Sequence, residues 1–308
     1  MKPFFKFSSK PDANAIITSM LFWSLFVLLL FLSNPVALIF GTRFLRLLSG
    51  VFGICSALLV TWLFLKYEKW SFKEIGLVWQ TSTISRFIKG LFIGSAIFSA
   101  ILLALLLLTP LQIQRNTKPV DSTALLGYLA FFPVSLMEEI AFRSYPFIKL
   151  HKQFGLRMTQ VIVAVVFALY HVVGGQSVFG SFLGPGVYAF VFGLAAVWSR
   201  GIAMPFGIHL ALNILQPLTG MRGNVGAVWT LSQKNNVAGG SITAPETIGM
   251  VMQFIVLVAA ILLTEYYIRK KGNQWTQNES AKYNNEQSPD SDLLQKFQPT
   301  AHNINFKK

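Results

Sequence analysis

The sequence predicts an all-α integral membrane protein, a bundle of about eight transmembrane helices with both termini in the cytoplasm. Hydrophobic residues make up 53% of the 308 residues and charged residues 12%, which is about half the charged share of a soluble domain. The apolar residues form long runs, and a hydrocarbon core about 30 Å thick needs roughly 20 of them per helix. Lys and Arg residues flank these runs, as they do in membrane proteins.

Eight apolar runs are the candidate transmembrane helices. They cover residues 14–33, 45–65, 88–111, 123–148, 158–174, 185–199, 202–219 and 246–268. The first run follows Lys2, Lys6 and Lys10, as the core of a signal peptide does. It is longer than such a core and no A-x-A cleavage pattern follows it, so we interpret it as an uncleaved helix.

The distribution of basic residues predicts the topology. If the N-terminus is cytoplasmic and eight helices alternate in direction, the cytoplasmic segments carry fifteen Lys and Arg residues and the outside loops carry six. This asymmetry follows the positive-inside rule. It favours an even number of helices with both termini inside. The net charge of +14 is explained by this topology, and we expect no nucleic-acid partner.

The sequence divides into four regions. Residues 1–120 hold the N-terminal transmembrane helices and an amphipathic segment, 67–87, whose Trp, Phe and Ile residues alternate with Lys and Glu as in an interfacial segment. Residues 121–219 hold the helices with polar residues. Residues 220–271 hold a loop and the last transmembrane helix. Residues 272–308 are rich in Asn, Gln and Ser and are predicted to form a disordered cytoplasmic tail.

Few ionisable residues lie deep in the apolar runs, where each costs about 2.5–3.5 kcal/mol on insertion scales. They are Glu138, Glu139, Arg143, His171 and His209. Because ionisable residues inside a membrane face partners or cavities rather than lipid, these five are candidates for one shared site.

The spacing of these residues assigns them to helix faces. Glu139 and Arg143 are four residues apart and can form an ion pair on one face, which leaves Glu138 on another face, free to meet a cavity. His209 and Asn213 are also four residues apart. Each pattern alone has a structural explanation: an ion pair joining helices, a histidine bonded to a backbone carbonyl, or a polar contact between helices.

Taken together, the three patterns are more specific. Glu-Glu-x-x-x-Arg from Glu138, Phe-x-x-x-His ending at His171 and His-x-x-x-Asn from His209 follow one another in this order. The set resembles the CPBP (ABI) family of intramembrane proteases, which includes type II CAAX prenyl endopeptidases and bacterial proteins linked to bacteriocin processing or immunity. The resemblance covers about residues 123–219 and makes 121–219 the expected catalytic core. Ser144 stands where the typical bacterial motif has Gly.

The resemblance implies an endopeptidase that hydrolyses a peptide bond of a membrane-associated protein or peptide. By resemblance, Glu138 with His171 activates the water, and His209 with Asn213 stabilises the oxyanion. Glu139 and Arg143 orient and charge-balance the site. Desolvated carboxylates are suited to act as general bases. The residue types alone do not decide which histidine has which role.

The sequence leaves metal dependence open. The family is commonly labelled as metalloprotease, and a His₂Glu set is a known catalytic zinc arrangement. The H-E-x-x-H motif of the zincins is absent. We favour a glutamate-dependent mechanism without tightly bound zinc.

Two other classes of function fit the buried residues. Glu and His inside a membrane can form a proton or substrate site in a transporter, or the residues can bind a partner in a non-catalytic scaffold. The expected partners are the lipid bilayer and a peptide or protein substrate, with lipid-anchored proteins included. The compact plan favours the cytoplasmic membrane of a bacterium as the location of this multi-pass protein.

Overall fold

The computed structural model describes residues 15–117, 122–222, 226–233 and 244–287, with side chains described as far as residue 271. The chain is mostly helical. Its elements in chain order are α1 (Ala15–Ile39), α2 (Leu45–Glu68), α3 (Thr83–Leu108), β1 (Leu111–Arg115), α4 (Ser122–Arg143), α5 (Tyr145–Val173), α6 (Val178–Ser181), a π-helical turn (Phe182–Gly186), α7 (Val187–Ser199), α8 (Ala203–Leu218), β2 (Trp229–Gln233) and α9 (Pro245–Gln287).

The helical membrane fold is confirmed, with a different count of spans. Six helical segments are long and apolar enough to cross a membrane by length and composition: Ala15–Ile39, Leu45–Glu68, Thr83–Leu108, Thr123–Val173, Val178–Ser199 and Pro245–Lys271. Each of the eight predicted runs falls on a helix. However, the fourth segment contains both α4 and α5, and α8 is too short to be counted. Eight crossings and cytoplasmic termini therefore stay predictions.

Two predicted runs have the wrong ends because each continues past a proline. The run 88–111 enters strand β1, whereas α3 ends at Leu108 and Thr109 is extended just before Pro110. The run 123–148 crosses Ser144, whose backbone is not helical, and α5 starts just before Pro146. Proline has no N–H for the helical hydrogen bond and disfavours helical backbone at the residue before it.

The helix α5 begins well before the predicted run 158–174 and has a kink. Gly155 has φ 73° and ψ 177°, which divides the helix into two parts. A residue with a side chain rarely adopts this positive φ. The kink separates the N-terminal part, which contains Lys149, from the long C-terminal part, which carries His171.

The helices α3 and α8 pack with their backbones in contact. A Cβ atom on Gly90 would lie 2.2 Å from the carbonyl oxygen of Met204, and one on Gly207 would lie 2.2 Å from that of Phe87. Small residues at helix interfaces allow this close approach in membrane proteins. Because Gly207 is two residues before His209, the contact fixes the position of the helix that carries this histidine.

A two-stranded sheet, which the sequence did not predict, joins the segments that follow α3 and α8. Strand β1 pairs antiparallel with β2, from Leu111 opposite Gln233 to Arg115 opposite Trp229. Beside the sheet, the hydroxyl of Tyr128 on α4 donates a hydrogen bond to the carbonyl of Gly226. The loop after α8 is therefore attached to both β1 and α4.

The chain forms one compact unit as far as Leu262, and a second unit begins at Leu263. The helix α9 is described as far as Gln287, so residues 272–287 are helical although the sequence predicts disorder from residue 272. No Pro occurs after Pro245 to end the helix before Gln287, and the backbone stays helical through Gly249 and Gly272. The remainder of the predicted tail, 288–308, lies outside the described residues. The four-region division of the chain stays a prediction.

Candidate active site

The C-terminal half of α4 is enclosed by protein. Its stretch MEEIAFR, residues 137–143, is buried at every position. Glu138 is 5% exposed, Glu139 0% and Arg143 1%. A charged helix segment in an apolar environment is stable only when it finds partners within the protein. The partners of these three residues define the candidate active site.

Glu139 and Arg143 form the ion pair that their spacing predicts. Nη1 of Arg143 lies 3.5 Å from Oε1 of Glu139. The guanidinium is also stacked against aromatic rings, 4.3 Å from the ring centre of Phe167 and 5.0 Å from that of Phe192. Its nitrogens have no hydrogen-bond partner among the described residues. A cation–π contact can stabilise a desolvated cation by about 2 kcal/mol.

His209 on α8 lies between the two glutamates. Its Nδ1 is 2.8 Å from Oε1 of Glu139, and its Nε2 is 3.5 Å from Oε2 of Glu138. Its ring is stacked on that of Phe192, with centres 4.7 Å apart. We call Glu138, Glu139, Arg143 and His209 the site cluster. Two carboxylates, one guanidinium and one imidazole thus meet in a single buried place.

The geometry at His209 restricts where a proton can lie. A carboxylate accepts hydrogen bonds, so Nδ1–H donates to Glu139. Nε2 faces the carboxylate of Glu138 at 3.5 Å. The site therefore places an imidazole beside a second carboxylate, and both are groups that acid–base chemistry uses.

His171 is positioned differently from His209. Its Nδ1 is 2.8 Å from the backbone carbonyl of Phe167, which can only accept, so Nδ1 carries the hydrogen and Nε2 of the neutral ring carries a lone pair. Its ring lies at the edge of the Phe167 ring, with centres 4.6 Å apart. Within the described parts of the chain, His171 has no hydrogen bond to Glu138. The ring is half-buried and its Nε2 is free of protein hydrogen bonds there.

Asn213 is held by two residues that the sequence analysis did not select. Its amide nitrogen donates to the hydroxyl of Ser135, 3.0 Å away, and its amide oxygen accepts from Nη1 of Arg222 at 3.4 Å. Ser135 lies one helical turn before Glu138 and Glu139 and is fully buried. Its spacing from them is the signal that could have identified it. Arg222 lies in a loop and has no comparable pattern.

The site thus brings together most of the residues that the sequence selected. Glu138, Glu139, Arg143 and His209 are in direct contact. Arg222 connects Asn213 to this group, since it is also close enough to Glu138 for their charges to interact. His171 reaches the group through the ring of Phe167, which faces Arg143 and His209 as well.

The described residues do not fit a zinc site. Catalytic zinc takes three protein ligands at about 2.0–2.2 Å, such as His₂Glu. Among the residues the structure describes, no three His, Cys, Asp or Glu side chains converge in that way. Both ring nitrogens of His209 already face carboxylates, and Nδ1 of His171 faces a carbonyl. These side chains are therefore suited to act on a water molecule directly.

Comparison with known proteins supports an enzymatic role for this region. A search of curated proteins finds no match. Residues 120–215, less than half of the chain, match the family model described as "Type II CAAX prenyl endopeptidase Rce1-like". The matched segment spans α4 to α8 and includes every residue of the site cluster. The chain is an integral multi-pass membrane protein, and the match confirms the predicted resemblance: residues 120–215 are similar to the Rce1-like type II CAAX prenyl endopeptidases.

Proposed function

We propose that this protein is an intramembrane endopeptidase that hydrolyses a peptide bond of a membrane-associated substrate with a glutamate-activated water. The observation that carries the proposal is the placement of His209 between Glu139 and Glu138, at 2.8 Å and 3.5 Å. A purely structural ion pair needs only one carboxylate for Arg143. The second carboxylate and the imidazole beside it are groups that peptide hydrolysis uses.

The attack step uses Glu138 and His171. The carboxylate of Glu138 accepts a proton from the water as its oxygen attacks the carbonyl carbon of the scissile bond. His171 accepts a hydrogen bond from the same water through Nε2, since Nδ1 is engaged with Phe167.

The oxyanion is stabilised by His209 and Asn213. As negative charge develops on the carbonyl oxygen, Nε2–H of His209 and the second amide N–H of Asn213 donate hydrogen bonds to it. Each such donor contributes about 10²–10³ in rate in well-studied hydrolases. When the tetrahedral intermediate collapses, Glu138 returns its proton to the leaving amine.

Glu139 and Arg143 act as positioning residues. Glu139 accepts the hydrogen bond from Nδ1–H of His209 and so fixes the direction of Nε2. Arg143 balances the charge of Glu139, and both side chains are buried away from water. The predicted role of this pair, in orienting and charge-balancing the site, is kept in the proposal.

The proposal is tested with the protein in proteoliposomes and a fluorogenic prenylated peptide ending in a CAAX sequence, together with its unlipidated counterpart. Glu138→Gln, His171→Ala and His209→Ala should each lower turnover by at least about 10²-fold while the protein stays folded. A transporter or scaffold would leave both peptides intact even with the wild type. Cleavage that persists in Glu138→Gln would also refute the assigned role.

The location and the substrate are part of the same proposal. We propose the bacterial cytoplasmic membrane as the location and a peptide segment near a helix end as the target, because helical backbone is already hydrogen-bonded and resists attack. Comparing the two peptides shows whether a lipid anchor on the substrate is needed. Equal cleavage of both would remove lipid anchoring from the proposal and leave the peptidase activity in place.

A further inference from the structure

A cavity of about 450 Å³ lies beside α4, on a face different from that of the two glutamates. Its wall on α4 consists of Phe132, Leu136 and Ile140, which share one face at four-residue spacing. The other walls come from α2, from residues 76–80, from the start of α3 and from residues 200–206. The volume lies within the range of about 300–1,000 Å³ typical of small-molecule sites.

The lining of the cavity is mainly apolar and its charged side chains are two arginines. More than half of the lining residues are Ile, Leu, Val or Phe. Arg86, which is half-buried, and Arg200, which is exposed, both line the cavity, and it has no Asp or Glu in its lining. Trp79 also lines it and is 77% exposed. Trp at such a rim is typical of the membrane–water interface.

The side chain of Arg86 is hydrogen-bonded within the cavity lining. Its Nη1 donates to the side-chain oxygen of Gln80 at 2.9 Å, and the guanidinium has further N–H groups that a ligand can use. Arg200 follows α7 and has φ 57°, a left-handed conformation that costs a residue with a side chain about 1–2 kcal/mol.

The segment before α3 and the turn after α7 are joined at the cavity. A Cβ atom on Gly201 would lie 2.7 Å from the carbonyl oxygen of Gly76, so the two backbones touch. This contact holds residues 76–80, which belong to the predicted interfacial segment, against the turn that carries Arg200. We therefore expect this part of the cavity wall to lie at the level of the membrane interface, on the side that the basic residues predict to be cytoplasmic.

We propose that this cavity binds one anionic phospholipid, with an acyl chain in the apolar interior and the phosphate held by Arg86 and Arg200. The apolar walls fit a hydrocarbon chain and the two guanidinium groups fit a phosphate, since Arg binds phosphate through paired N–H donors. Phospholipids with anionic headgroups are abundant at the cytoplasmic surface of membranes. The proposal does not depend on the peptidase activity.

A lipid bound in the cavity would contact α4 and α8, the helices that carry the candidate active site. Ile140 in the cavity wall is the residue after Glu139, and Phe206, also in the wall, is three residues before His209. A bound chain would fill the space between α4 and the start of α8. Since a ligand that binds only the folded state stabilises it, the lipid should raise the unfolding temperature of the protein.

The test is native mass spectrometry of the full-length protein from detergent micelles that contain phosphatidylglycerol or phosphatidylcholine with identical acyl chains. The wild type should retain one phosphatidylglycerol in preference to phosphatidylcholine. The double variant Arg86→Gln/Arg200→Asn should bind phosphatidylglycerol about 30-fold more weakly, since each basic residue near a lipid headgroup contributes about 1 kcal/mol. Asn tolerates the left-handed backbone at position 200.

The control is Lys73→Gln/Lys89→Gln, which removes the same charge from two exposed residues that do not line the cavity. It should bind as the wild type does. Equal weakening in the control, or equal retention of the two lipids, overturns the role of the arginines.

Ala203→Phe, which fills the cavity, should lower binding with the arginines intact, and unchanged binding would place the acyl chain elsewhere. Displacement of the lipid by millimolar inorganic phosphate would show a headgroup site without a chain site and would also overturn the proposal.

Discussion

The site cluster can be compared with a second group of buried charged residues, at the junction of α2 and α5, which we call the junction cluster. In the junction cluster, Oε1 of Glu68 is 2.6 Å from the hydroxyl of Tyr145 and 2.8 Å from Nζ of Lys149. Lys149 is 2% exposed, and its ammonium lies 5.4 Å from the ring centre of Trp70. The site cluster is as deeply buried as this group.

The two groups differ in how their charges are balanced. The junction cluster has one carboxylate and one ammonium within ordinary ion-pair distance, so its charges cancel. The site cluster places two carboxylates around one imidazole, and among the described residues His209 is the only basic group within ion-pair distance of Glu138. The comparison shows that burial alone does not identify a reactive site. A second carboxylate beside a titratable ring is the more specific sign.

Paired double substitutions should separate the two groups most strongly. Glu139→Gln/Arg143→Met removes both charges of one pair, and Glu68→Gln/Lys149→Met removes both charges of the other. The first should lower turnover by about 10²-fold or more, because His209 loses the carboxylate that orients it. The second should change turnover less than about threefold. Turnover of the fluorogenic peptide in proteoliposomes measures both.

Equal losses of turnover in the two double variants, at equal amounts of folded protein, would contradict the distinction. Size-exclusion profiles in detergent provide the control for folding. Replacing a buried ion pair with apolar or neutral groups of similar volume is often neutral for stability, so both proteins are expected to fold.

Single substitutions should affect stability in both groups. Arg143→Met leaves Glu139 without its cation, and Lys149→Met leaves Glu68 without its own. Breaking a buried pair from one side costs about 3–5 kcal/mol, so both variants should unfold at lower temperature or denaturant concentration than their double variants. Unfolding followed by tryptophan fluorescence in detergent measures this. A single variant as stable as its double variant would show that the pair is solvated.

The residues that hold Asn213 should have smaller effects. Ser135→Ala removes the acceptor for the amide nitrogen and Arg222→Met removes the donor to the amide oxygen. Each should lower kcat about 3- to 10-fold with little change in KM, since the bond to Ser135 is a neutral one worth about 0.5–1.5 kcal/mol and the bond from Arg222 is long at 3.4 Å. Arg222→Lys, which keeps a donor, should recover part of the loss. A change confined to KM would instead place Arg222 in substrate binding.

Metal removal should have the smallest effect. Because the described residues do not converge on a zinc site, chelation of the purified protein should change turnover by less than about twofold. Elemental analysis of the same sample gives the metal content. Stoichiometric zinc whose removal abolishes cleavage, and whose return restores it, would overturn the glutamate-dependent mechanism.

Much of the fold could be predicted because a bilayer imposes simple requirements on a sequence. Long apolar runs and flanking basic residues identify α1, α2 and α3 directly. The ends of α3 and α4 were placed too far along the chain because hydropathy does not register Pro110 and Pro146. The pairing of β1 with β2 could not be predicted, since it joins segments more than a hundred residues apart and neither is strongly β-forming alone.

The site residues could be selected because ionisable side chains are rare in apolar runs. Their rarity identifies Glu138, Glu139, Arg143, His171 and His209, and helical spacing predicts the Glu139–Arg143 pair. Spacing could not predict that His209 contacts both glutamates, because this contact depends on how α8 packs against α4. Ser135 and Arg222 were missed because serine is unremarkable in a membrane helix and Arg222 lies in a loop.

The pairing of β1 with β2 has a consequence for biosynthesis. The two strands lie on either side of α4 to α8, so the chain between them holds the whole of the family segment. Residues 111–115 leave the ribosome long before residues 229–233, and their hydrogen bonds cannot form until every intervening helix has been made. Contacts of such long sequence separation form late. The paired strands therefore mark a chain in which α4 to α8 have all been synthesised, and protease resistance of β1 and β2 in a nascent chain would report that this stage has been reached.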